Sequence, residues 1–312
     1  MKDISHQPVV QDFKLTGSQT VRELMEMYYA AGGFTGKKLA EGMDILEGMI
    51  TDESCTVFLS FPAAPISTGM RGVVRELVKR KMVDVIITTC GTLDHDIARM
   101  RASYHHGDFL MDDAELYELG VNRLGNILVP NESYGTVLEE WMQPILKELY
   151  DSGIREMSTK EIVWEFGKRA EESTIIHQAW KNQIPIFVPG ITDGAFGSQI
   201  WMFTQEHRDF RINLFNDEND LSDIVFTAER TGALMIGGGI SKHHTIWWNQ
   251  FRDGLDHAVY ITTAVEHDGS LSGARVREAV SWGKVRTDAR YVTIEGDATI
   301  ILPLLVAAIL EK

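Results

Sequence analysis

The residues best equipped for chemistry lie together near the C-terminus, in Glu278-Ala-Val-Ser-Trp-Gly-Lys284. A lysine freed of its proton is a nucleophile and a Schiff-base former. The indole two residues before it offers a flat wall for an alkyl chain or a cation. Gly283 lets the backbone approach a ligand closely, and the carboxylate of Glu278, six residues upstream of the lysine, can hold an ammonium group. Taken alone, the stretch is more simply a surface lysine after a Trp-capped turn. Its setting is what points to chemistry.

Three further groups form that setting. Gly237-Gly-Gly239 follows an apolar run and precedes Lys242-His-His244. Bare backbone at a helix N-terminus can seat a phosphate or ribose, but the spacing is not GxGxxG, and a tight structural turn explains it equally well. Asp193, Asp268 and Asp297 each fall at a strand end or helix start. There a carboxylate can cap a helix or bind ribose hydroxyls or an ammonium group. The pairs His105-His106 and His243-His244 are adjacent, so the two rings of a pair diverge on a helix or a strand and do not make a two-ligand face. No metal site is expected, although one histidine of each pair can line a pocket. Trp247 and Trp248 read as packing residues.

The elements that must position these groups alternate. Thr20-Val-Arg-Glu23 is a capping box opening a first helix that Gly32-Gly33 stops, and a second helix is expected over 38–50. Short apolar runs predict strands at 57–61, 83–89, 126–129, 184–188, 211–215, 232–236, 257–262 and 291–295, with helices between them. Among those helices, one follows Gly69, one starts near Leu93, and one is opened by the capping box Ser158-Thr-Lys-Glu161. Continuous β-branched strands separated by helices imply an α/β, Rossmann-like, mostly parallel sheet with helices on both faces. The expected organisation is a helical N-terminal extension, residues 1–50, followed by one compact catalytic unit, residues 51–312. In such sheets ligands bind outside the carboxyl ends of the strands. The segments 63–69, 89–96, 192–197, 237–244 and 262–273 should all fall there.

Composition narrows the class. The 312 residues carry a net charge of −15, which disfavours nucleic acid and suits cationic partners. Cys55 and Cys90, both read as lying in β-like runs, are the only cysteines. So few fit a reducing cytoplasm better than a disulfide scaffold or a zinc site. The first fifteen residues lack periodicity and read as extended, with charges where a signal peptide needs an apolar run. The longest apolar run, Ala298 to Leu310, contains Pro303 and is too short to span a bilayer, so it reads as a buried helix and no membrane association is expected.

Longer strings carry a resemblance. Gly237-Gly-Gly-Ile-Ser-Lys-His-His244, Asp256-His-Ala-Val-Tyr-Ile-Thr-Thr-Ala264, Ser272-Gly-Ala-Arg275 and Glu278-Ala-Val-Ser-Trp-Gly-Lys284 resemble deoxyhypusine synthase. So do Gly125-Asn-Ile-Leu-Val-Pro-Asn-Glu132, Ile184-Pro-Ile-Phe-Val-Pro189 and Thr192-Asp-Gly194, and the match runs from about Phe34 to the C-terminus. The resemblance implies an NAD-dependent aminobutyl transferase acting on spermidine, in a homotetramer (a dimer of dimers) with sites between paired subunits. In that family hydride passes from spermidine to NAD, the imine is captured by the active lysine, and 1,3-diaminopropane leaves. The butylimine then moves to a lysine of the translation initiation factor 5A precursor and is reduced. By this resemblance Lys284 is the nucleophile and His243 stands beside the polyamine. Glu278, Trp282, Asp94, Ser198, Gly269, Ser270 and Leu271 fall on the substrate side. The NAD side comprises Ser67, Thr89, Cys90, Gly91, His95, Asp193, Gly238, Thr263, Ala264, Asp268, Asp297 and Ala298.

Some positions depart from the family pattern. Two acidic polyamine-site positions of the eukaryotic enzymes are Ser198 and Leu271 here, a glutamate is His95, and a serine-asparagine pair is Ala63-Ala64. The form looks archaeal or bacterial. Asp94 and Glu278 are expected to anchor the two ends of the polyamine. The altered acids keep a second reading open, transfer to putrescine or another small amine as in homospermidine synthase. A third reading, a catalytically inactive partner subunit, is opposed by the presence of Lys284, His243 and Glu278.

Overall fold

The computed structural model describes residues 6–311. Its centre is a six-stranded sheet made of β1 (Cys55–Phe61), β2 (Val85–Thr88), β3 (Ile186–Phe187), β4 (Arg230–Ile236), β5 (Leu255–Thr262) and β6 (Val285–Glu295). The spatial order is β3-β2-β1-β4-β5-β6 and every pairing is parallel. This is a doubly wound, Rossmann-like order: the chain builds outward from β1 in one direction, returns, and builds outward from β4 in the other. The reversal leaves a crevice at the carboxyl ends of β1 and β4. β6 forms one edge of the sheet.

Strand alternation feeds two cores. Val57, Leu59, Ile86, Leu234, Ile236, Val259, Ile261 and Ile294 point to one face, where they pack with Met43, Leu46 and Met49 of the helix Phe34–Thr51 and Leu302 and Leu305 of the helix Ala298–Leu310. Phe58, Val85, Ile87, Ala233, Met235, Ala258 and Tyr260 point to the other, where Leu221, Val225 and Ile246 cover them. Period-two side chains on a doubly covered sheet require this division.

Local signals hold where their chemistry is complete. Thr20 and Ser158 make reciprocal capping boxes with Glu23 and Glu161, and Gly32 stops the first helix, Val21–Ala31, with φ of 69°. The second helix runs Phe34–Thr51, longer than expected, and a helix follows Gly69 over Met70–Lys79. Ala298–Leu310 is a largely buried helix. Residues 7–20 form no helix or strand and are mostly exposed, and the rest of the expected extended start, residues 1–5, lies outside the described residues.

Three expectations need correction. The 126–129 strand is real (Ile127–Pro130) but pairs antiparallel with Val121–Leu124 and His105–His106 in a separate small sheet. Gly125, at φ of 62°, turns it back as a hairpin. The 211–215 strand shrinks to Arg211–Ile212, paired with Glu156–Met157, because the Asn213 side chain accepts the Phe215 N–H and starts the helix Leu214–Thr227. The helix expected near Leu93 begins at Cys90. That cysteine therefore sits in a helical first turn rather than a β run; Cys55 does lie in β1.

Candidate active site

The chain leaves β5, forms the loop 263–275, descends through the short helix Val276–Val280 and turns at Gly283, with φ of 67°, into β6. Lys284 stands at that junction. Its N–H donates to the Ala279 carbonyl (3.0 Å) and its own carbonyl accepts the Leu255 N–H (3.1 Å), so its main chain is fixed on both sides. Leu255 opens β5, so the lysine lies at the amino end of the sheet, not on the carboxyl edge where the glycine turn lies.

A cavity of about 330 Å³ runs over the sheet face between that short helix and the helix Gly239–Asn249. Lys284, Glu278, Trp282, His243 and Leu271 all line it, with Lys242 and Trp247 beside them. Lys284 is only 9% exposed. Its Nζ lies 5.2 Å from the Trp282 ring centre and 5.7 Å from that of Trp247, two aromatic faces about one cation. His243 and Trp247, four residues apart on one helix face, stack at 5.7 Å. Burial and the nearby positive charge of Lys284 hold the His243 imidazole below its usual pKa, so its neutral form is favoured. Glu278 is the one carboxylate in a lining that also holds Lys242, Arg275 and Lys284.

The rings of His243 and His244 diverge. His244 turns away to Glu218 (3.1 Å), which also accepts the Trp248 indole N–H at 2.7 Å. Trp248 is thus a packing residue, whereas Trp247 belongs to the cavity, which sequence reasoning missed. The i, i+4 spacing from His243 was the available signal. Lys242 was missed too, although it adjoins His243. Both residues of the His105-His106 pair are exposed on the small sheet. Among the described residues no group of three or more His, Cys, Asp and Glu side chains could hold a metal ion.

Other candidates lie elsewhere. Asp94 is fully buried and accepts from the Tyr134 hydroxyl (2.7 Å), the Ala195 N–H (2.9 Å) and the Phe196 N–H (2.7 Å). It caps the helix Ala195–Glu206 from outside that helix and is absent from the Lys284 cavity. Ser198 is exposed on that helix, with its hydroxyl donated to the Gly194 carbonyl at 3.0 Å. Gly269, with φ of 70°, and Ser270 form a turn tied by Asp268 Oδ1, which accepts the Ser270 N–H at 2.7 Å.

The residues assigned to a dinucleotide gather around the carboxyl edge. Ser67 is buried and donates to the Ala64 carbonyl (2.7 Å), and Thr89 precedes the first turn of the helix Cys90–Arg101. Burial pushes the Cys90 thiol up to about 12, and its sulfur accepts the Gly197 N–H at 3.3 Å. Gly91 fits against Ala63, whose Cβ would lie 2.8 Å from an added one. Burial lowers His95 to about 4, leaving a neutral ring 3.0 Å from the Tyr104 hydroxyl. Asp193, Thr263, Asp268 and Asp297 are exposed, and Ala264 is half-buried. Of these aspartates, Asp297 caps a helix, the one beginning at Ala298, through the Thr299 N–H (2.8 Å). All three glycines of the turn have structural reasons: Gly237 and Gly239 have positive φ, and a Cβ on Gly238 would come 2.2 Å from Ser272 Oγ.

Comparison with known proteins identifies the family. The deoxyhypusine synthase family profile matches residues 23–309. A probable deoxyhypusine synthase of Picrophilus torridus is 61% identical over 303 residues, covering 97% of each chain. One from Thermoplasma acidophilum is 56% identical over 310 residues, covering 99% of each. A solved structure assigned to deoxyhypusine synthase from Entamoeba histolytica shares the fold, with TM-score 0.67 over 96% of each chain at 20% identity. The ternary complex of AgrE with ornithine and NAD+ gives TM-score 0.51 at 15% identity, covering 86% of this chain and 33% of that one. Among the described residues no helix is long and apolar enough to cross a membrane. The aromatic-walled lysine, the doubly wound sheet and near-full-length identity to these relatives together place the chain in the deoxyhypusine synthase family.

Proposed function

We propose that this chain transfers the aminobutyl group of spermidine, through an imine on Lys284, to a lysine of the translation initiation factor 5A precursor, releasing 1,3-diaminopropane. The observation that carries the reading is the Lys284 amine, buried between two indoles in a cavity with one carboxylate. The Trp247 and Trp282 faces suit the methylenes of a polyamine and Glu278 suits one of its ammonium groups. In this reading Lys284 gives up its ammonium proton before it attacks the oxidised carbon, and the C–N bond to the departing 1,3-diaminopropane breaks as the new imine forms. The neutral His243 imidazole can take up the proton released as the covalent bond forms.

NAD is the cofactor of this reading. The crevice where strand order reverses is where dinucleotides bind in such sheets, and the AgrE neighbour was solved with NAD+. The residues fit: the helix Gly239–Asn249 starts with no side-chain cap, nothing lies within 4 Å of a Cβ on Gly239, and Asp193, Thr263, Asp268 and Asp297 are open on that edge. When bound, NAD would supply the oxidation of the amine and the final reduction. Residues 51–312 would form the catalytic unit, working in the cytoplasm as a homotetramer. Trp282 and Trp247, 67% and 42% exposed in one protomer, suit sites covered by a neighbouring subunit. A monomer in light scattering would count against that assembly.

Incubation with spermidine, NAD and either the factor 5A precursor or putrescine tests the acceptor. Transfer to the protein lysine is expected. Product with putrescine alone would overturn this in favour of a homospermidine synthase-like reaction, which the apolar Leu271 in the cavity wall leaves open. Borohydride should trap a spermidine-derived adduct on Lys284, and no adduct would favour an inactive partner subunit.

A further inference from the structure

Lys242 lines the same cavity as Lys284 yet has no part in the reaction described above. Only 3% exposed, it donates from Nζ to the carbonyls of Leu271 (2.9 Å) and Ala274 (2.7 Å). Its Nζ lies 3.6 Å from the centre of the Tyr260 ring. The same strip of backbone is tied at other points: Tyr260 Oη and Thr262 Oγ1 both donate to the Ser272 carbonyl, at 2.6 and 2.9 Å. Arg275 donates to the Ala264 carbonyl at 3.0 Å.

A buried cation is costly unless its protons are used. Here two go to carbonyls that lie outside any helix or strand, and the ring takes part of the charge. Residues 264–275 contain only one short turn of helix, Glu266–Asp268, so side-chain donors from the core take the place of a ladder. Leu271, Ala274 and Arg275 from this segment line the cavity that holds Lys284. Burial pushes Lys242 down to about 7, with Glu278 raising it and Arg275 lowering it, and the amine keeps two protons to donate to these carbonyls whether charged or neutral.

We propose that Lys242 is a positioning residue, an internal clamp that holds the 271–274 backbone as one wall of the cavity around Lys284. The clamp itself is read from geometry, while its effect on catalysis rests on the polyamine-transfer reading. Removing the amine frees two carbonyls and lets the wall move, so the polyamine is held poorly while Lys284, fixed by Ala279 and Leu255, keeps its place.

The test uses the full chain and Lys242→Met, which keeps length and loses the donors. Amide hydrogen exchange without ligand should quicken at least ~10-fold across 264–275 and stay unchanged in 298–310. KM for spermidine should rise at least ~10-fold, with kcat within ~3-fold and NAD affinity within ~2-fold. Lys242→Arg, which keeps a charged fork of donors, should recover most of the protection. Unchanged exchange across 264–275 overturns the clamp, as does quickening of equal size in 298–310. If Lys242→Met does not fold, Lys242→Leu, which also lacks donors, carries the same comparison. If the wild-type chain shows no polyamine transfer, the function reading fails while the exchange result still decides the clamp.

Discussion

Replacing Asp94, expected from the sequence to anchor one end of the polyamine and held in the structure as a remote helix cap, distinguishes the two roles. As a polyamine anchor its loss would weaken substrate binding; as a remote helix cap its loss would weaken the fold. In the structure its oxygens take three donors at 2.7–2.9 Å in a site with no solvent exposure. In Asp94→Asn the amide oxygen can serve Tyr134 and Ala195, but the NH2 then faces the Phe196 N–H, two donors opposed. A buried donor left without an acceptor costs about 1–3 kcal/mol. Unfolding entropy of ~2.1 cal/mol/K per residue gives a chain of 312 residues about 0.65 kcal/mol/K, so a loss of ~2 kcal/mol lowers Tm by about 3 °C. Asp94→Ala strands all three donors and should cost about twice as much. Calorimetry of both variants, beside KM for spermidine, is the assay. A Tm within ~1 °C of wild type together with a tenfold higher KM would refute the capping role and restore Asp94 as a ligand.

Four further outcomes follow from the geometry. Lys284→Arg should abolish turnover, by at least ~1000-fold, with NAD affinity nearly intact, because arginine does not give up its proton; retained turnover would remove the Schiff-base role. Gly238→Ala would put a methyl 2.2 Å from Ser272 Oγ and 2.4 Å from its Cα, so it should cost about 1–3 kcal/mol in urea unfolding and weaken NAD binding; a neutral effect would mean the two segments part freely. Burial pushes both Cys55 and Cys90 up to about 12, so neither should react with a thiol reagent at pH 8 until the chain unfolds, and rapid labelling of the folded protein would contradict their environments. His95 falls from 6.5 to about 4 on folding, so the folded state binds fewer protons in that window and stability drops as pH falls from 6.5 towards 4. His95→Gln should flatten that part of the Tm profile, and an unchanged slope would assign the loss to other groups.

The sequence carried the parts of the site written as residue type and local spacing. Glu278, Trp282 and Lys284 were legible because a helix turn and a strand junction place them within one short stretch, and His243 because it follows the glycine turn 237–239. The parallel sheet was legible because β-branched runs buried on both faces have no polar alternation. What escaped depended on approach between distant segments. Asp94 looked like a cavity acid because nothing nearby announces that the Ala195 and Phe196 amides, about a hundred residues on, point at it. Lys242 had no assigned role in the sequence, and only the returning loop 264–275 gives its amine two acceptors. The runs at 126–129 and 211–215 looked suited to the central sheet, but Gly125 turns the first into a hairpin and Asn213 starts a helix that cuts the second short.

Because Lys284 is the last residue before an edge strand, the lifetime of the proposed nucleophile is tied to that of the border of the sheet. The bonds of Lys284 to Leu255 and Ala279 and the pairing of β5 with β6 are the main-chain fastenings between the proposed reactive amine and the core. Fraying that begins at this border would displace the amine before the cofactor-side loops on β1 and β2 loosen. Heat inactivation should therefore precede global melting, with covalent adduct formation lost before β1 and β2 unfold.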